Sequence, residues 1–175
     1  MSEVGVCREA ELESVEAPSK RAGARMRILV VDDDEAVRES FAVALSGLDC
    51  ELLFAENGLV AVDVFARGGI SLVFLDLRMP GLDGVRTLRV LREMQPEAKI
   101  CVLSAFVDEH MGSLIDLASE RLDFELFRKP LDIDEIRALT LTLAGPEAAY
   151  MADDARTASR VERKVRALKP RSWRN

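Results

Sequence analysis

Histidine is almost missing: His110 is the only one in 175 residues. A metal site built from several imidazoles is therefore excluded, and so is any mechanism that needs two histidines. Cysteine is also scarce. Cys7, Cys50 and Cys101 are odd in number, lie far apart and form no CxxC pair. They read as reduced structural residues of a cytoplasmic protein, Cys101 inside the apolar run "KICVLSAF". No run of about 18 apolar residues occurs, so no transmembrane helix and no membrane partner are expected. Residues 1–25 hold no apolar h-region, so no secretory signal is expected. There is no GxxxxGK[ST] loop, and nothing reads as an ATP site. Internal repeats and low-complexity segments are absent too.

What is present suits a globular domain. Apolar residues make up 49% and charged residues 31% of the chain, enough for a real core. The length fits one domain of about 100–150 residues plus extensions. The net charge of −7 is unevenly spread. Residues 26–145 carry 12 basic and 22 acidic side chains, whereas residues 146–175 carry eight basic and four acidic. An acidic body thus bears a basic tail. Three regions follow. Residues 1–25 are polar, Ala/Glu-rich and without clear period, and are expected to be a flexible extension. Residues 26–145 form the domain. Residues 146–175 form the tail, in which Met151, Ala155, Ala158, Val161, Val165 and Leu168 are spaced for one amphipathic helix with a basic outer face.

Within the domain, short β-branched runs at Ile28–Val31, Glu51–Ala55, Ile70–Leu75, Lys99–Ser104 and Phe124–Phe127 alternate with amphipathic stretches. Val37, Phe41, Ala44, Leu45 and Leu48 keep helical spacing. So do Leu59–Phe65, then Val85, Leu88 and Leu91, then Met111–Leu117, then Ile136, Leu139 and Leu143. Five strands alternating with five helices predict an α/β fold: a doubly wound, five-stranded parallel sheet buried on both faces.

Ligands of such sheets bind beyond the carboxyl ends of the strands. The first strand ends at Asp32 and Asp33, the third at Asp76, the fourth at Ser104, and the fifth at Lys129 before Pro130. Each has a plain structural reading when taken singly. Adjacent aspartates make polar turns, and Asp34 is placed to cap the helix near Glu35. Asp83 and Gly84 read as turn and cap of the third helix, and His110 as a solvated helix residue. Together, in this order, the strand-end residues point to one crevice. Three crowded carboxylates repel unless a hard cation with oxygen ligands, Mg2+ above all, lies among them. Asp76 can then act as a nucleophile toward phosphorus, the metal neutralising developing charge. Lys129 offers a positive charge to one phosphoryl oxygen, and Ser104 a hydrogen bond to another.

The motifs "ILVVDDDEAVRES", "LVFLDLRMPGLDG", "VLSAF" and "FRKPL" closely resemble those of the receiver domain of bacterial two-component response regulators, the flavodoxin-like CheY group. The resemblance spans residues 26–145. It implies that Asp76 is the phosphoacceptor, and that Asp32 and Asp33 are the acidic pair, Asp33 the more direct metal ligand. The backbone carbonyl of Arg78 would complete the Mg2+ ligands. It also implies that Ser104 and Lys129 are the family's hydroxyl and lysine, and that the Lys129–Pro130 bond is cis. Two departures stand out. Leu126 occupies the position where the family often has a switching Tyr or Phe. The Ser104–Lys129 segment is a few residues longer than usual, so the fourth helix or its loops should differ from the norm.

The resemblance implies a phosphoryl donor in trans, a sensor histidine kinase or phosphotransfer protein, and a downstream protein target. The 30 residues after the domain are too few for a winged-helix or helix-turn-helix module. One output is protein–protein contact. Another is nucleic-acid binding through residues 156–175, whose basic side chains suit phosphates and whose Trp173 suits base stacking. A third reading of the tail docks it on the acidic body or leaves it solvated. Whether the chain forms a homodimer stays open. A phosphatase of the haloacid-dehalogenase type is disfavoured, because "DLR" stands at Asp76 where those enzymes have DxD.

Overall fold

The computed structural model describes residues 25–105, 111–119 and 122–144. Five βα units follow in strict alternation. They are β1 (Met26–Val31), α1 (Glu35–Ala44), β2 (Cys50–Ala55), α2 (Gly58–Ala66), β3 (Leu72–Asp76), α3 (Gly84–Met94), β4 (Lys99–Ser104), α4 (Met111–Ser119), β5 (Glu125–Arg128) and α5 (Ile133–Ala144). The strands form one parallel sheet in the order β2-β1-β3-β4-β5.

The near-continuous apolar strands are explained by burial on both faces. Leu29 and Val31 of β1 and Val73 and Leu75 of β3 point to one side. There they meet Ala61 and Phe65 of α2, Leu88 and Leu91 of α3, and Leu114 of α4. Ile28, Val30, Leu72 and Phe74 point to the other, where Phe41 and Ala44 of α1 and Ile136 and Leu139 of α5 cover them. The Phe41 and Phe74 rings lie 4.8 Å apart at 52°, a tilted pairing that suits the aromatic quadrupoles. Burying each such ring contributes about 1.5–3 kcal/mol.

Helix starts follow the cap residues. The Asp34 carboxylate accepts from the Ala36 N–H, that of Asp83 from the Arg86 N–H, and the Asn57 side chain from the Val60 N–H. Asp132 and Glu135 cap α5 reciprocally, each side chain accepting from the other's backbone N–H.

Three boundaries differ from the apolar pattern. α1 stops at Ala44, although Leu45 and Leu48 continue its spacing. Both remain buried, but Gly47 at φ +80° turns the chain toward β2. Ile70 is buried yet precedes β3, and Phe124 precedes β5. Cys50 is partly buried and Cys101 fully buried, and no disulfide joins them. Residues 1–24, the tail from 145 and His110 lie outside the described residues.

Candidate functional site

In the order 2-1-3-4-5 the winding direction reverses between β1 and β3, which opens a crevice beyond their carboxyl ends. The register fills it. Val31 pairs with Leu75, so Asp32 and Asp76 leave the sheet side by side. Asp76 is itself the last residue of β3 and pairs with Leu103 of β4. Ser104 pairs with Arg128, which brings Lys129 to the same rim. The Lys129 N–H donates to the Ser104 carbonyl at 3.0 Å, and the Lys129–Pro130 bond is cis.

The lysine lies between two aspartates. Its Nζ is 2.5 Å from Asp32 Oδ2 and 3.0 Å from Asp76 Oδ1. The other oxygens are held by backbone: Asp32 Oδ1 accepts from the Asp34 N–H at 3.0 Å, and Asp76 Oδ2 from the Arg78 N–H at 3.2 Å. Carboxylate oxygens of Asp32, Asp33 and Asp76 all lie within 4.8 Å of one another. Asp32 and Asp76 are buried, at 2% and 5% exposure, whereas Asp33 faces outward.

This crowding has an electrostatic cost. Burial pushes the Asp76 carboxyl above its usual range; Lys129 opposes the rise, and Asp32 and Asp33 add to it. Burial alone would lower the Lys129 ammonium. Its hydrogen bond to Asp32 and its attraction to Asp76 outweigh that, and the net shift is upward. One ammonium thus serves two buried carboxylates, while a third faces the same crevice.

All the strand-end residues singled out in the sequence therefore stand on one rim. Asp32, Asp33 and Asp76 are in mutual range, and Lys129 bridges Asp32 and Asp76. Ser104 is buried at the end of β4 beside them, and Arg78 follows Asp76 by two residues. Asp34 and Asp83 are caps, as expected. Leu126 is buried among Leu114 and Phe124, so the switching-aromatic position holds an aliphatic core residue.

Two contributors escaped the sequence. Gly84 sits so close to the end of β3 that a Cβ there would lie 2.2 Å from the Asp76 carbonyl oxygen. The "DG" pair signalled a turn but not this approach. The other is Arg38 on α1, whose Nη1 donates to the Asp32 carbonyl at 2.6 Å. Its position six residues on from Asp32 was the only hint.

An open parallel sheet of this order, with carboxylates and a lysine gathered at its switch point, defines the CheY-like class of flavodoxin-fold domains. The family model of the response regulator receiver domain matches residues 28–140, and the chain belongs to that family. It is 38% identical over 115 residues to response regulator MprA of Mycobacterium sp. (strain KMS), covering 65% of this chain. The match covers 48% of MprA, so the chain spans about half the length of that relative. It is 31% identical over 111 residues to sporulation initiation phosphotransferase F of Bacillus subtilis (strain 168), covering 63% of this chain and 87% of that one. Among solved structures, response regulator protein TrrA of Thermotoga maritima, in complex with Mg(2+)-BeF, superposes with a TM-score of 0.57 at 34% identity. That alignment covers 67% of this chain and 98% of TrrA. The chain thus carries a receiver domain, a signalling module of two-component systems.

Proposed function

We propose that Asp76 accepts a phosphoryl group from a sensor histidine kinase or phosphotransfer protein, and that the phosphorylated domain switches a protein–protein surface. The observation that carries this is the meeting of Asp76 with Asp32, Asp33 and Lys129 at one strand-end crevice. The donor set fits Mg2+. It is made of hard carboxylate oxygens within 4.8 Å of one another, without nitrogen or sulfur ligands. Asp32, Asp33, Asp76 and the Arg78 backbone carbonyl would hold the ion. Bound there, it supplies charge neutralisation for phosphoryl oxygens. The complex of TrrA with Mg(2+)-BeF supports the same reading.

The step balances simply. A carboxylate oxygen of Asp76 attacks phosphorus, the N–P bond of a donor phosphohistidine breaks, and an acyl phosphate forms on Asp76. Lys129 exchanges its contact with Asp76 for a phosphoryl oxygen, and the Ser104 hydroxyl donates to another. Ser104 ends β4 and Lys129 follows β5, so their new partners would bias the α4–β5 face. With Leu126 in place of an aromatic, the switch runs through Ser104 and Lys129 without a turning ring. The domain acts as phosphoacceptor rather than as an enzyme, with only self-phosphorylation and dephosphorylation chemistry of its own. Its place is the cytoplasm. No helix among the described residues is long and apolar enough to cross a membrane.

The test is phosphoryl transfer to the full chain from acetyl phosphate or a kinase in the presence of Mg2+. Wild type takes up label that is lost with EDTA, and Asp76→Asn takes up none. Labelling retained in that variant overturns the assignment.

A further inference from the structure

Asp32 is pinned at each of its polar groups. Its N–H donates to the Ala55 carbonyl of β2 at 3.1 Å. Its carboxylate accepts from Asp34 and Lys129. Its carbonyl, the first beyond the end of β1, accepts from Arg38 Nη1 at 2.6 Å. Arg38 is half-buried in the first turns of α1, where its own N–H donates to the Asp34 carbonyl at 3.2 Å. The guanidinium therefore closes a loop of six residues, from the end of the strand to the helix that follows.

That carbonyl belongs to the peptide joining Asp32 to Asp33. Its orientation sets the direction in which the Asp33 side chain leaves the backbone. Asp33 needs such help. Its carboxylate is exposed and, among the described residues, takes part in no hydrogen bond or ion pair with the protein. Asp32 and Asp76 are fixed by Lys129 and by backbone donors; Asp33 is fixed only through its main chain. An arginine suits this task, since a charged donor to a carbonyl makes a stronger bond than a neutral one.

We infer that Arg38 is a positioning residue for the cation site: by holding the Asp32–Asp33 peptide it aims the outer carboxylate at the ion. This rests on the proposed Mg2+ site. Supporting groups behind metal ligands commonly affect affinity by about 10–100-fold.

The test uses the full chain and Mg2+ alone, titrated by calorimetry and by backbone amide NMR shifts at Asp33 and Asp76. Urea unfolding without Mg2+ is measured in parallel. Arg38→Met keeps the aliphatic stem and helix propensity but removes every donor. It is expected to bind Mg2+ at least about tenfold more weakly, with the amide of Asp33 shifted even before metal is added. Arg38→Lys, which keeps a charge and a donor, recovers most of the affinity. Arg38→Met binding Mg2+ as wild type does overturns the inference, including where it merely unfolds at lower urea. Wild type failing to bind Mg2+ instead sinks the metal site itself, so the two failures are distinguishable.

Discussion

The two ends of the sheet treat charge in opposite ways. At the carboxyl rim, Asp32, Asp33 and Asp76 share one ammonium. At the amino end, cations meet backbone carbonyls. Arg92 of α3, itself buried, donates to the carbonyls of Pro96 at 2.5 Å, Ala98 at 2.7 Å and Asp123. Lys99 Nζ donates to the Leu143 carbonyl near the end of α5 at 2.5 Å, and Arg27 to the Gly68 carbonyl and Glu51. The amino end uses charge to tie loops to helices. The rim gathers like charge and leaves it incompletely compensated, as the proposed cation and phosphoryl group would require. At one end side-chain charge is matched by backbone acceptors; at the other it is held close to charge of its own sign.

This contrast can be broken most forcefully at Gly84. A Cβ there meets the Asp76 carbonyl oxygen at 2.2 Å and Leu77 Cα at 2.5 Å, both backbone atoms. Gly84→Ala should cost about 3 kcal/mol in urea unfolding, as overpacking against an unyielding neighbour does. It should also move Asp76, so phosphorylation falls with stability. An unchanged urea midpoint would show that the rim backbone yields more than its packing suggests.

Arg92→Met comes next. It leaves three loop carbonyls, that of Ala98 buried, without the guanidinium, for an expected loss of about 2 kcal/mol. The cost is moderated because burial already opposes the charge of Arg92, an effect that Asp123 and Glu97 only partly offset. Mg2+ affinity should stay at the wild-type value. A drop in Mg2+ affinity would show that the two ends are coupled.

At the helix caps the effect is smaller. Asp34→Ala removes the acceptor for the Ala36 N–H at 2.9 Å and should cost about 1 kcal/mol. Its exposed side chain touches neither Lys129 nor Asp76, so labelling of Asp76 should persist.

The smallest change has the opposite sign. Burial raises the Asp76 carboxyl, so the folded protein holds that proton at a pH where the unfolded chain has lost it. The resulting stability is fully present below the unfolded value and is lost as pH rises through the folded one. Asp76→Asn should therefore stabilise the metal-free protein at neutral pH and flatten its acid-side pH dependence. Thermal melts in EDTA from pH 4 to 8 test this. A destabilised variant across that range would mean that the contacts with Lys129 and Arg78 outweigh the burial.

Much of the site was legible because it follows from periodicity. Apolar runs fixed where strands end, and in a parallel sheet those ends lie together. Asp32, Asp33, Asp76, Ser104 and Lys129 could thus be assigned to one rim from the chain alone. Asp34 and Asp83 were readable as caps because their partners are two or three residues away. Arg38 and Arg92 were not. Each looks like a polar residue on an amphipathic helix, and what distinguishes them is the carbonyl each one finds. For Arg92 one of those carbonyls lies 31 residues away. The end of α1 was hidden for a related reason: Leu45 and Leu48 keep the apolar period, and burial rewards them without requiring helix.

Local order along the chain determined the alternation of elements, the caps and the residue types at each strand end, since these depend on spacing over a few positions. Only the folded sheet decided that β1 and β3 are neighbours, that Val31 is level with Leu75, and that one lysine reaches two buried carboxylates. Strand order and register arise from the packing of helices on both faces at once, a condition that no short stretch of sequence can express.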